Sequence, residues 1–135
     1  MKRIIEGEKT ILVAEKDSEV RHLLSESLRL QGYDVLEMER PGEIDTRRIP
    51  RIPHLFLLGH GSSERETFEA LEALRKSKKL EGVPVIVIAV EPDEDFLLEV
   101  VSRGADSLLP FPFPMEILHD RISALLQGQR TSMMP

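Results

Sequence analysis

The sequence predicts an α/β fold, a parallel sheet covered by helices on both faces. Three observations predict it. Short apolar runs recur along the chain, ILVA, LFLL and VPVIVIAV among them, the first and last rich in β-branched residues. Runs that are apolar at every position are strands buried on both faces. Between them lie stretches whose apolar residues keep helical spacing, and the two kinds of segment alternate, as in strand–helix–strand units.

The first strand is Ile11 to Ala14. From Asp17 to Gln31 the period becomes helical, with Val20, Leu23, Leu24, Leu28 and Leu30 apolar and Gly32 as the stop; Asp17 or Ser18 caps the start. Tyr33 to Met38 is a second short strand. The following PGEIDTRRIPRIP carries Pro41, Pro50 and Pro53, so any helix there is short and ends before Pro50. Leu55 to Leu58 is the third strand. Glu64 to Lys79 is a surface helix with Phe68, Leu71 and Leu74 on one face, and RKSKK at its end reads as a solvated cationic terminus. Val83 to Val90 is the fourth strand. Asp93 to Arg103 is helical, with Leu97, Val100 and Val101 inward and Leu98 outward, and Gly104 ends it. Ser107 to Leu109 is the fifth strand. Pro114 suits a first helical turn, and Ile117, Leu118, Ile122, Leu125 and Leu126 make the last amphipathic helix.

Composition narrows the function. At 135 residues the chain fits one domain, with residues 1–9 as an extension, 10–127 as the domain and 128–135 as a loose tail or linker. The net charge is −6, which argues against a phosphate-backbone binder. With no cysteine, disulfides and thiolate metal sites are excluded. No apolar run approaches the ~20 residues of a membrane span, and no signal peptide is visible, so a cytoplasmic location is expected.

In a parallel sheet the functional crevice lies outside the carboxyl ends of the strands. Those ends are Glu15-Lys16, Gly59-His60, Ala89-Val90 and Pro110-Phe111. The stretch LFLLGHGSS runs straight into that crevice. His60 with Ser62 or Ser63 is not a G-x-S-x-G elbow, so a loop histidine between turn glycines is preferred to a catalytic base. Glu15, Asp17 and His60 have no recognisable metal-ligand spacing, and His22, His54 and His119 are scattered. No metal and no cofactor is expected.

These pieces together resemble the receiver domain of two-component response regulators. ILVAEKDSEVRHLLSESLRLQGYDVLE is similar to its first strand, first helix and second strand, and PHLFLLG to its third strand. LRKSKKLEGVPVIVIAV is similar to the third helix end and fourth strand, and GADSLLPFPF with MEILHDRISALL to the fifth strand and last helix. The resemblance implies a flavodoxin-like doubly wound sheet in the order 2-1-3-4-5, and a cis bond before Pro112. It also implies a phosphoryl-accepting carboxylate at the end of the third strand, two acidic residues that help hold Mg²⁺, a Ser or Thr, a Lys and an aromatic switch residue. On this chain those positions fall on Gly59, on Glu15 and Lys16, on Ala89, on Phe111 and on Leu108. Only Glu15 keeps the expected charge. Gly59 has no side chain to phosphorylate, Lys16 is expected to neutralise Glu15, and Phe111 is expected to turn inward and fill the vacated space while Phe113 packs under the last helix.

The expectation is a degenerate receiver, not an enzyme, that works by phosphorylation-independent protein–protein contact. The surface of the fourth helix, fifth strand and last helix, marked by Leu98, is its expected partner face and allows a homodimer. No nucleic-acid or membrane contact is expected. Three alternatives remain open: a domain of a longer regulator whose neighbour carries the output, a crevice reused for a small ligand through Glu15, Lys16 and His60, and a small His60-dependent hydrolase.

Overall fold

The computed structural model describes residues 8–44, 49–59 and 63–128. Five parallel strands form one sheet in the order β2-β1-β3-β4-β5: β1 Thr10–Ala14, β2 Asp34–Met38, β3 Leu55–Leu58, β4 Val85–Val90 and β5 Ser107–Phe111. Four α-helices connect them: α1 Ser18–Leu30, α2 Glu64–Lys76, α3 Glu94–Ser102 and α4 Met115–Leu126. The order is the flavodoxin-like one.

Successive side chains of a strand point to opposite faces, and both faces here are covered. Leu12, Ala14, Phe56, Leu58, Val85, Val87 and Leu108 pack under α2 and α3. Ile11, Val13, Leu55, Leu57, Ile86, Ile88 and Leu109 pack under α1 and α4. That is why the strands read as unbroken apolar runs. Each such side chain removed from water contributes about 1.5–3 kcal/mol.

The caps fix where the helices begin. Asp17 Oδ1 accepts from the Glu19 and Val20 amides, so Asp17 caps α1, not Ser18. Ser63 Oγ accepts from Glu66 N, and Asp93 Oδ1 from Phe96 N. Gly32 and Gly104 follow α1 and α3 with φ of 100° and 103°, a region that glycine enters without strain.

Between β2 and β3 the described residues hold only a single 3₁₀ turn, Pro41–Glu43, short and ending before Pro50 as the prolines require. Residues 45–48 of that connection lie outside the described residues. Two expectations need correction. Val101 is 39% exposed; Phe96 and Val100, four residues apart on one face, are the buried residues of α3, and Val101 lies about 100° round the helix from Val100. RKSKK is not solvated throughout. Arg75 reaches under the sheet edge: its Nε and Nη2 donate to Gly104 O (3.1 and 2.6 Å), its Nη1 to Glu81 O and Val83 O (both 2.8 Å), and its Nη2 to Asp106 Oδ2 (2.9 Å). The expected extension, residues 1–9, and the expected tail, residues 128–135, fall largely outside the described residues.

Candidate functional site: the crevice at the strand ends

The strand ladders continue one residue into the crevice. Glu15 N donates to Met38 O (3.0 Å) and Gly59 N to Ala14 O (2.7 Å). These two bonds set Glu15 and Gly59 side by side. Glu15 is fully buried. Its Oε2 accepts from the Asp17 amide at 2.8 Å, and its Oε1 has no hydrogen-bond partner among the described residues. From α1, Arg21 Nη1 donates to the Glu15 carbonyl at 2.7 Å while its Nε lies 3.5 Å from Glu37 Oε1.

The position of that carboxyl group is the central fact of the crevice. A Cβ placed on Gly59 would stand 2.6 Å from Glu15 Cδ and closer still to Oε1, within a distance that real Cβ atoms do not show. Glu15 occupies the volume that any side chain at Gly59 would need. Gly59 is therefore required for space; its φ is not in the left-handed region.

Lys16 does not neutralise Glu15. The pleat turns the next residue the other way, so Lys16 is exposed while Glu15 is buried, and no ion pair joins them among the described residues. Across the crevice, Ala89 is 7% exposed and Leu108 fully buried. Both belong to the cluster under α2 and α3. Beside Ala89 lies a cavity of about 180 Å³, floored by Ile88 and Phe96 and rimmed by Glu64, Glu91 and Asp93.

Phe111 is half-buried and does not plug the space at Gly59. It shares a face with Leu109 in the two-residue period of β5, so it packs on the side of α1 and α4. There it meets Phe113 edge-on, with ring centroids 5.8 Å apart. The Phe111–Pro112 bond is cis. His60 and Ser62 lie outside the described residues. No group of three or more His, Cys, Asp or Glu that could hold a metal occurs among the described residues.

No family model matches the chain. Relatives and solved structures do. The phosphate regulon transcriptional regulatory protein PhoB of Pseudomonas aeruginosa is 26% identical over 119 residues, 88% of this chain and 52% of that protein. The transcriptional regulatory protein KdpE of Staphylococcus aureus is 24% identical over 115 residues, 85% of this chain and 48% of that protein. The crystal structure of a CheY-like response regulator receiver domain protein from Methanospirillum hungatei aligns with a TM-score of 0.81 at 22% identity, covering 91% of this chain and 97% of that one.

The chain is similar in sequence to response regulators and shares the fold of CheY-like receiver domains. It spans about half the length of the curated relatives it matches. In this chain the residues picked out from the sequence, Glu15, Gly59, Ala89 and Phe111, do stand at the carboxyl ends of four strands. Only Glu15 and Gly59 touch the same space. Leu98 projects from α3 at 59% exposure, beside the partly exposed Val101. Sequence reasoning missed that a long acidic residue on one strand and a glycine on its neighbour are a matched pair of volumes. The signal was there, Glu where the resemblance allows a shorter Asp and Gly where it expects a carboxylate, but the register that joins them was not.

Proposed function

We propose that this receiver has lost phosphoryl transfer and acts in two-component signalling through protein–protein contact alone. One observation carries the reading: the volume beside Gly59, at the end of β3, is filled by the Glu15 carboxyl group. A phosphoryl group needs a nucleophilic oxygen, neighbouring cations and a hydrogen-bond donor. The positions the resemblance assigns to them offer Gly59, Phe111 and Ala89, none of which has a polar side-chain atom. Lys16, in the place of a metal-binding acid, adds a positive charge where Mg²⁺ needs carboxylate oxygens. With Ala89 and Leu108 in the switch positions, the two-state element that phosphorylation biases has lost its polar half. What remains is a rigid shape. Leu98 and Val101 on α3 give the contact surface of this reading, for a partner protein or a second copy. The cavity beside Ala89, at about 180 Å³, is below the roughly 300–1,000 Å³ of ordinary small-molecule pockets, so the interaction reading is preferred to a ligand sensor.

The test is direct. The purified chain is mixed with Mg²⁺ and acetyl phosphate while intact mass and amide NMR spectra are recorded. The expected result is no phosphoryl adduct and no saturable shift at Glu15, Lys16 or Gly59. An adduct, or Mg²⁺ shifts that saturate in the crevice, overturns the reading.

A further inference from the structure

The amino-terminal end of the strands, opposite the crevice, carries the exposed cations Lys76, Lys78 and Lys79. Net charge is −6, and the first turns of α1, α2 and α3 carry Glu19, Glu64, Glu66, Glu94 and Asp95. At that amino-terminal end the connection entering β3 meets the segment entering β4. Ile49, Pro50, Arg51 and Ile52 from the first, with Lys79 and Leu80 from the second, line one groove of about 290 Å³. Ile52 is 51% exposed and Leu80 is 2% exposed. A large aliphatic side chain thus stands half out of water beside a buried apolar floor.

Among the described residues between β2 and β3 the only helical turn is the 3₁₀ turn Pro41–Glu43, and residues 49–52 run irregularly into the amino-terminal end of β3. The helix dipole accounts for Lys76 at the end of α2. It does not account for Lys78 and Lys79, which lie beyond the helix. All three are exposed, and no ion pair holds them among the described residues. Arg51 is different: it is paired with Asp34 and donates from Nε to Thr10 Oγ1 at 3.4 Å. Its stem is therefore held as a wall, and the exposed positive charge without an ion pair among the described residues belongs to the lysines.

We propose that this groove docks an acidic, apolar segment of a partner protein, with one aliphatic side chain seated against Ile52 and Leu80 and a flanking carboxylate meeting Lys79. The inference rests on the reading of the domain as an interaction module, and it assigns a surface separate from Leu98. Charge complementarity and groove size favour this occupant. A nucleic-acid backbone needs several free cations along a track, and here one arginine is already paired and the chain is acidic. A membrane surface needs a broad apolar face, and here the exposed apolar residue sits in a concavity fit for one or two side chains.

A random-peptide phage library is selected on the natural chain, and the enriched peptides are synthesised and titrated by fluorescence anisotropy. The same titration uses Ile52→Asp, Lys79→Glu and Leu98→Asp, with circular dichroism confirming that all three fold. Enriched peptides are expected to carry Asp or Glu beside Leu, Ile or Val, and binding is expected to weaken by about tenfold or more in Ile52→Asp and in Lys79→Glu. Leu98→Asp is expected to bind as the natural chain does. Basic or uncharged consensus peptides, equal binding to Ile52→Asp, or no enrichment would overturn the groove. So would binding of phosphatidylglycerol vesicles or duplex DNA through Ile52 and Lys79 in place of peptide. Loss confined to Leu98→Asp would reject the groove and leave the interaction reading standing. A phosphoryl adduct in the crevice would reject that reading and leave this groove to its own titration.

Discussion

At Gly59 a hydrogen in place of a methyl decides what the crevice can contain. Glu15 and Gly59 are neighbours through the Gly59 N to Ala14 O bond, and the glutamate side chain fills the glycine's missing volume. Gly59→Ala is therefore expected to destabilise the chain by about 1–3 kcal/mol, the range of overpacking in a closed core. In a Glu15→Ala background the same substitution is expected to cost at least about 1 kcal/mol less, because contacting residues do not add. Urea unfolding of the four chains checks this, and additive penalties would show that the two residues do not share the space. Arg75 is a second residue whose role is set by what it touches. Removing it strips a charged donor from three backbone carbonyls and from Asp106, in a place where its side chain is 23% exposed. Arg75→Ala is expected to cost about 2–3 kcal/mol in urea unfolding. Arg75→Lys is expected to recover less than half of the loss, since one ammonium cannot span the fork.

At the scale of elements, the strands were legible and the connections were not. Leu55 to Leu58 was bounded correctly from LFLL because both faces of a central strand are apolar and the period leaves no ambiguity. Fewer residues were legible in α3, where one apolar position too many was turned inward, and Arg75 was hidden inside a run of cations whose sequence looks like solvent. Its partners come from residues 81–106, and no local pattern reports a carbonyl that distant. The seam between α1 and α4 was equally unreadable. There Ser27 Oγ and His119 Nε2 are 3.0 Å apart. Burial lowers the His119 pKa, and the nearby Asp120 and Glu116 oppose this only in part. The folded chain therefore binds a proton at His119 less readily than the unfolded chain. The contact keeps its full contribution above about pH 6.5 and loses part of it as pH falls below that value. Urea midpoints at neutral and mildly acidic pH are expected to converge in His119→Gln, which keeps a hydrogen-bonding group at this position without titrating. An unchanged pH slope would assign the loss to other groups.

For the whole molecule, both cores follow from alternation of buried strands with amphipathic helices and the sheet order was legible only through the resemblance, while the state of the crevice follows from register, which sets Glu15 beside Gly59 on neighbouring strands. Receivers that signal by phosphorylation need the crevice and the α3–β5–α4 side to exchange free energy, because a ligand shifts a population only by its differential affinity for two states. On the proposed reading the switch positions fall on Ala89 and the fully buried Leu108, and neither side chain has a polar atom with which to follow a phosphoryl oxygen. A phosphoryl mimic should therefore find no purchase, and the surface at Leu98 and Val101 should not sense it. Beryllium fluoride with Mg²⁺ is expected to leave the amide spectrum, the Tm and the sedimentation profile superimposable on those of the untreated chain. Leu98→Asp is expected to preserve the Tm, since Leu98 is 59% exposed, while removing any self-association that the natural chain shows. A beryllium-fluoride-dependent shift at α3, or a dimer formed only in its presence, would mean that coupling survives by a route other than Ala89 and Leu108, and the proposed rigid-shape account of this chain would fall with it.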